Sequence, residues 1–172
     1  MKKDNNAELL PLVDEAGEVI GSATRGECHD GTKQLHPVVH LHLFDSQGRL
    51  YLQHRPLWKT IQPGKWDTAV GGHLMLGEDY LEGARRELAE ELGITGNVEL
   101  KELFDMQLRN DLESEDIRIF GLWIGGPFKF QREEIDEVRF WSAKALFEPG
   151  NQALFTPNLV RELDMLREKN YI

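Results

Sequence analysis

The alternation of apolar and polar positions predicts a chain built mainly of short strands. The segments that show it are residues 8–13, 18–23, 37–44, 49–55, 66–70, 98–108, 117–124 and 136–141. The first two strands form an N-terminal β-hairpin at about 8–24, because the turn residues 14–17 separate them. A second hairpin joins the next two strands around residues 45–48. Gly71 and Gly72 are predicted to form the turn that follows the fifth strand.

Two longer segments have the spacing of amphipathic helices. Leu81, Ala84, Leu88 and Leu92 fall on one stripe of a helix predicted at 78–92, which Gly93 ends. Thr156 and Pro157 are an N-cap and a first helical residue, so a C-terminal helix is predicted at about 157–169. Strands that bracket two main helices predict an α/β fold in which a mixed β-sheet is sandwiched between helices.

Composition is typical of a globular protein, with 172 residues, 40% hydrophobic and 29% charged. No linker or repeat divides the chain, so we expect a single domain, 1–172. The net charge of −10 argues against nucleic-acid and membrane partners. Cys28 cannot form an intrachain disulfide, and no apolar run approaches the roughly 20 residues of a membrane span, so a cytoplasmic protein is expected. The N-terminal strand pair is a candidate contact for a homodimer.

Acidic residues cluster on the helix predicted at 78–92. Glu87, Glu90 and Glu91 fall within an arc of roughly 100° beside the apolar stripe. Arg86 is spaced i,i+4 from Glu82 and Glu90, so it can orient a carboxylate. A solvated acidic face is the simpler alternative, but carboxylates bunched at a buried border repel one another unless a cation lies among them. Oxygen ligands without a nearby cysteine suit Mg²⁺ or Mn²⁺.

The segment 72–94, GHLMLGEDYLEGARRELAEELGI, has a pattern of fixed residue types. Its fixed positions are Gly72, Glu78, Arg86, Glu87, Glu90, Glu91 and Gly93. Seven such residues coincide by chance on the order of once in 10⁹ starting positions. This is the complete signature of the Nudix box, and the chain therefore resembles the Nudix family, whose fold is an α/β/α sandwich.

The resemblance implies a Mg²⁺- or Mn²⁺-dependent hydrolase that cleaves a phosphoanhydride bond in a small nucleoside-diphosphate-like or other diphosphate metabolite. The metal ligands it implies are Glu87, Glu90 and Glu91, with Glu78 in support and the carbonyl of Gly71 or Gly72 as a further ligand. The catalytic residues it implies are Glu90, Glu91 and Arg86, the last by holding a carboxylate in place. The general base stays open among Glu90, Glu133, Glu134 and Glu137.

Within that family the chain resembles the branch related to isopentenyl-diphosphate isomerase. The shared marks are QLHPVVH at 34–40, PGKWD at 63–67 and GGH at 71–73. The isomerases have a catalytic cysteine where this chain has Gly71, and glycine can neither donate nor accept a proton. Isomerase activity is therefore the disfavoured alternative, and a silent nucleotide-binding sensor is a third, which the complete box disfavours.

Two further sets of residues are candidates for binding. The isomerases hold a second metal through residues that match His29, His36 and His73 and, approximately, Glu113 and Glu115. The simpler alternative is that His29 is a surface residue and that His36 and His73 are structural. His36, His40 and His42 alternate along one strand and should share a face of the sheet. Arg55, Lys65 and Trp66 lie on or beside the loop before the box and are the candidate substrate-binding residues, with solvated loop charges as the alternative for the two cations.

Overall fold

A computed structural model describes residues 5–172, so the first four residues of the predicted 1–172 domain lie outside the described residues. The strands are β1 (Leu9–Val13), β2 (Val19–Thr24), β3 (Leu35–Phe44), β4 (Leu50–His54), β5 (Trp66–Thr68), β6 (Val70–His73), β7 (Lys101–Arg109), β8 (Ser114–Trp123) and β9 (Glu137–Trp141). The helices are α1 (Arg25–Cys28), α2 (Tyr80–Leu92), α3 (Ala143–Leu146) and α4 (Pro157–Glu168), with a 3₁₀ turn at Asn151–Leu154. None of the helices between residues 5 and 172 has the length and hydropathy that a membrane span needs.

The strands form two sheets. β1 and β2 pair as a separate antiparallel hairpin, which the sequence predicts at about 8–24. The other seven strands form one sheet with the central order β5-β4-β3-β8-β7, where β6 pairs with β3 and β9 with β4. The β3–β8 pair is parallel and the other pairs are antiparallel, so the sheet is mixed, as predicted.

Strand β3 lies at the centre and is buried along its whole length. Its odd-numbered residues, such as Leu41, join a core that contains Ala84 and Leu88 of α2. Its even-numbered residues, such as Phe44, join a second core that contains Leu159 of α4. Successive side chains of a strand point to opposite faces, so α2 and α4 cover opposite faces of the sheet. The predicted sandwich is confirmed.

One edge of β3 is shared between two partners. Leu43 and Phe44 pair with β4, whereas residues 38–41 pair with β6. The sheet therefore divides at this edge of β3, and we call the point where β4 and β6 separate, next to residues 41–43, the fork. From there β6 leads to the loop before α2. The prediction of a turn at Gly71 and Gly72 is wrong, since both residues belong to β6, opposite His40 and Val39.

Other boundaries also differ from the predictions. α2 begins at Tyr80 rather than residue 78, because Asp79 is its N-cap. Leu81 is 42% exposed and does not belong to the buried stripe that Ala84, Leu88 and Leu92 form. β8 begins at Ser114 rather than at the predicted residue 117, because its pairing with β3 begins there.

Candidate metal and phosphoanhydride site

The two ends of α2 are fixed by local chemistry. The Asp79 side chain accepts a hydrogen bond from the backbone N–H of Glu82, and the Glu82 carboxylate accepts one from the N–H of Asp79. This reciprocal capping box satisfies backbone donors that a helix start leaves free. At the other end Gly93 has φ +63°, a left-handed conformation that glycine adopts without strain. The helix is thereby held in the register that sets the direction of its acidic residues.

Arg86 organises the carboxylates around α2. Its Nε and Nη2 donate to the two oxygens of Glu78, at 2.6 and 2.9 Å, and Nη2 also donates to the His73 carbonyl. Its Nη1 donates to Glu87 at 2.6 Å and lies 3.5 Å from Glu90. The predicted contact of Arg86 with Glu90 is present, but Glu82 is used in the helix cap instead. The hydrogen bonds from Arg86 lower the pKa of Glu78.

Glu87 occupies space that only a glycine leaves open. A Cβ on Gly72 would lie 2.1 Å from Oε1 and Cδ of Glu87, far inside ordinary contact distance. The carboxylate therefore lies directly against the backbone of β6. Burial raises the pKa of Glu87 to about 7, although the hydrogen bond from Arg86 favours the charged form. A buried carboxylate with a raised pKa is stabilised by a cation, so this cradle fits a divalent metal ion.

Glu91 lies one turn further along the same side of α2. Burial raises its pKa well above the usual value, and the negative charge of Glu87 adds to this effect. Gln53 of β4 donates from Nε2 to Glu91 Oε2 at 3.4 Å. A hydrogen bond from the backbone of Gly71 favours the charged form of Glu91. The fork thus brings Glu87, Glu91 and the Gly71–Gly72 backbone together, and these donors are the oxygens that Mg²⁺ and Mn²⁺ prefer.

The candidates for the general base lie in different surroundings. The Glu90 side chain is about half exposed, at the edge of the cluster. Glu134 forms a 2.7 Å ion pair with Lys59, in a loop that reaches the end of α2 through the bond from the Gln131 N–H to the Glu91 carbonyl. Glu133 is exposed, and Glu137 on β9 is paired with Arg139. Of these, Glu90 lies beside the carboxylate cluster, and Glu134 lies in the loop that is bound to the end of α2.

A second polar cluster lies at the start of β3. His29, His36, His73 and Glu115 each present a potential ligand atom, and these atoms all lie within 4.8 Å of one another. The His29 and His73 rings approach to 3.1 Å between their Nε2 atoms. Glu113 Oε2 lies 3.2 Å from His29 Nδ1, an ion-pair distance without hydrogen-bond geometry. The parallel pairing of β3 with β8 sets Glu115 directly opposite His36.

The chemistry of this cluster also fits a cation. His36 donates from Nδ1 to the Gln34 carbonyl at 2.9 Å. Its Nε2 is directed into the cluster and is buried without a hydrogen-bond partner among residues 5–172. Burial lowers the pKa of His36 to about 4 and that of His73 well below its usual value, so both rings are neutral and can act as ligands. Burial, together with the charge of Glu113, raises the pKa of Glu115 to about 8. Imidazole and carboxylate donors suit Zn²⁺ or Mn²⁺.

His40 and His42, on the face of β3 that His36 shares, form an ion cluster with Glu162 of α4. The sequence pattern does not reveal this cluster. Glu162 of α4 is fully buried, with one oxygen 2.5 Å from His40 Nδ1 and the other 2.7 Å from His42 Nε2. Burial opposes a charge on His40, but the Glu162 carboxylate outweighs it and raises the pKa of His40 to about 9. Burial likewise opposes the charge of Glu162, and the histidines lower its pKa to about 2. A single glutamate on a helix gives no sign in the sequence that it faces two histidines about 120 positions earlier.

The three predicted substrate-binding residues, Arg55, Lys65 and Trp66, are engaged in contacts within the protein. Arg55 donates to the Ile61 carbonyl and to Asp67 at 3.0 Å, so it holds the loop before the box against β5. Lys65 donates to the Ala153 carbonyl. Trp66 is 7% exposed in the core on the α4 side, with its ring edge-on to Trp141, so stacking on a ligand has no support in this packing. Roles of the two cations towards a substrate stay predictions.

Known proteins with similar sequences or structures extend over nearly the whole chain. The chain is 34% identical over 161 residues to an uncharacterized Nudix hydrolase of Pseudomonas aeruginosa, covering 92% of this chain and 93% of that protein. It is 36% identical over 168 residues to an isopentenyl-diphosphate Δ-isomerase of Streptomyces griseus, covering 94% of this chain and 84% of the isomerase. A Deinococcus radiodurans crystal structure aligns with a TM-score of 0.77 over 94% of this chain and 98% of that chain, at 24% identity.

A match to a family model shows the family. The NUDIX domain family model matches residues 34–163, which include β3, the fork, α2 and most of α4. The fold resemblance to the Deinococcus protein agrees with this match. The chain belongs to the Nudix family and has its fold, a mixed sheet between helices.

Proposed function

We propose that the protein is a Mg²⁺- or Mn²⁺-dependent hydrolase of phosphoanhydride bonds in a small nucleoside-diphosphate-like or other diphosphate metabolite. The observation that carries the proposal is the fork, where Glu87 lies in the space left by Gly72 and Glu91 lies beside it. Three of the carboxylates of α2 and the loop before it, Glu78, Glu87 and Glu91, are partly buried on one side of the helix. Arg86 pairs with Glu78 and Glu87, but burial and the charge of Glu87 disfavour a negative charge on Glu91, and a divalent cation would offset both effects.

The chain's own residues have distinct parts in this proposal. Glu87, Glu90 and Glu91 would hold the metal, with the Gly72 carbonyl beside them, and Glu78 would act through Arg86. Arg86 fixes Glu87 by donating to it while its other nitrogens bind Glu78 and the His73 carbonyl. A divalent ion, when bound, neutralises diphosphate oxygens and lowers the pKa of a coordinated water. Glu90 or Glu134 would accept the proton of the attacking water, since Glu90 lies 3.5 Å from Arg86 and Glu134 lies in the loop bound to the end of α2.

A second metal at His29, His36, His73 and Glu115 is part of the same proposal. The buried Nε2 of His36 supports it, because this nitrogen has no hydrogen-bond partner in the part of the chain that the structure describes, and a buried acceptor without a partner is costly. The isomerase relatives make isomerase activity the alternative function. Gly71 disfavours that alternative, since the cysteine that the resemblance implies is absent there.

The experiment that separates these functions is a turnover assay in water enriched in ¹⁸O. The panel contains nucleoside triphosphates, nucleotide sugars, dinucleoside polyphosphates, coenzyme A, thiamine diphosphate and isopentenyl diphosphate, each with Mg²⁺, with Mn²⁺ and with chelator. A hydrolase places one ¹⁸O atom in a phosphoryl product, detected by mass, and loses activity in chelator. Rearrangement of isopentenyl diphosphate without ¹⁸O in a phosphoryl group would indicate an isomerase. Binding of a nucleotide without any turnover would indicate a sensor.

A further inference from the structure

Gln53 is a buried polar side chain at the fork that supplies no metal ligand in the proposed site. It is 7% exposed and lies in β4, where Asp67 of β5 and Val138 of β9 pair with it on either side. The large majority of buried amide groups in proteins are hydrogen-bonded. Within residues 5–172 the Gln53 side chain makes one hydrogen bond, from Nε2 to Glu91 Oε2 at 3.4 Å. A strand that is paired on both sides thus presents a donor to this carboxylate.

The carboxylate of Glu91 is held from both sides of the fork. β4 and β6 pair with different residues of β3 and so separate from each other. Gly71 of β6 donates to Glu91 through its backbone N–H, and Gln53 of β4 donates through its amide. The Glu91 carboxylate therefore bridges the two strands that separate at the fork.

The two buried carboxylates of α2 are oriented by different kinds of donor. Arg86 donates to Glu87 at 2.6 Å and carries a positive charge. The Gln53 amide carries no charge, and its bond of 3.4 Å is longer than the usual range of about 2.7–3.2 Å. Such a donor sets the direction of a carboxylate while leaving it the negative charge that attracts a divalent ion.

We infer that Gln53 is a positioning residue, which directs the Glu91 carboxylate towards the divalent metal ion from the β4 side of the fork. The inference rests on the proposed function, in which Glu91 is a metal ligand. A carboxylate has about four lone-pair positions, so the two donors at Glu91 leave positions for the ion. Removal of a hydrogen-bond partner from a metal ligand typically costs about 10- to 100-fold in metal affinity or activity.

The first test replaces Gln53 by methionine, which has a similar volume and no N–H donor. Mn²⁺ binding is measured by calorimetry without substrate, in a His73→Gln background that keeps the histidine cluster from adding a second site. We expect the dissociation constant for Mn²⁺ to rise about tenfold. In Gln53→Met alone with saturating Mn²⁺, kcat should fall about tenfold and KM should stay within about twofold, because Gln53 acts on the ligand rather than on the substrate.

Gln107→Met is the matched control. Gln107 Nε2 donates to Asp116 Oδ1 at 3.2 Å, which is the same amide–carboxylate pair on a strand at the end of the sheet order. We expect its Mn²⁺ affinity, kcat and KM to match those of the wild type, and thermal unfolding shows whether each variant keeps its fold. Equal Mn²⁺ affinity with and without Gln53→Met, or equal losses in the two glutamine variants, would overturn the inference and leave the hydrolase intact. Absence of turnover by the wild type would instead overturn the proposed function.

A measurement on the wild-type protein covers the case in which Gln53→Met does not fold. Mg²⁺ alone is added to protein with ¹⁵N-labelled glutamine, and the side-chain amide resonances are followed. We expect the Nε2 resonance of Gln53 to shift as the ion binds and that of Gln107 to stay. No shift at Gln53 would contradict the inference.

Discussion

Replacement of Gly72 by alanine tests whether the position of Glu87 against β6 matters for catalysis. The new Cβ would lie 2.1 Å from the Glu87 carboxylate, whereas ordinary contacts begin at 3.4 Å, so the carboxylate must retreat by about 1.3 Å. Arg86 also loses its 2.6 Å hydrogen bond to Glu87 if the carboxylate moves. A displacement of about 1 Å in a catalytic site can cost roughly 100-fold in rate, and we expect a loss of that size in kcat/KM.

The assay measures turnover as a function of Mn²⁺ concentration, together with thermal unfolding. Half-saturation by Mn²⁺ should rise by about tenfold or more in Gly72→Ala, since a ligand has been displaced. The unfolding temperature should change little, because a flexible side chain can move aside. Gly125→Ala is the matched control, since a Cβ there meets no atom of the described residues within 4 Å. Wild-type kinetics and Mn²⁺ dependence in Gly72→Ala would refute the assignment of Glu87 as a ligand.

Three further predictions concern the other charged groups. The His40–Glu162 pair should make the free energy of unfolding depend on pH. The contribution of His40 is complete below its ordinary pKa of 6.5 and disappears as the pH rises through about 9, which lowers the free energy of unfolding by on the order of 3 kcal/mol. This decrease should be absent in His40→Gln. Arg86→Lys should lower kcat/KM by about tenfold or more, because an ammonium group cannot bridge Glu78, Glu87 and the His73 carbonyl at once; unchanged steady-state kinetics would contradict this. Titration with Zn²⁺ or Mn²⁺ followed by calorimetry should show one fewer binding site in His73→Gln than in the wild type, and equal stoichiometry would remove the histidine cluster as a metal site.

The sequence was most informative where function depends on local spacing. The order of residues 72–94 predicts the helix and the acidic cluster, since residues three and four apart on a helix are neighbours. The alternation in β3 likewise predicts that His36, His40 and His42 share a face, which the structure confirms for His40 and His42 by their common contact with Glu162.

Contacts between distant segments could not be predicted in this way. Arg86 binds Glu78, eight residues earlier, because the loop before α2 folds back onto the helix. The start of β8 at Ser114 follows from its parallel pairing with β3, a long-range hydrogen-bond pattern without a local signal. The same holds for the strand conformation of Gly71 and Gly72, where pairing with β3 overrides the turn preference of a glycine pair.

The most direct test of the account is phosphate release by the wild-type protein and by Glu91→Gln, measured side by side with Mg²⁺ and with chelator. The substitution removes the charge of a partly buried carboxylate and almost none of its volume, so the fold and the circular dichroism spectrum should be retained. We predict chelator-sensitive cleavage of an anhydride by the wild type and a loss of at least about 100-fold in Glu91→Gln. A rate in Glu91→Gln equal to that of the wild type, or cleavage that chelator leaves unchanged, would contradict the account.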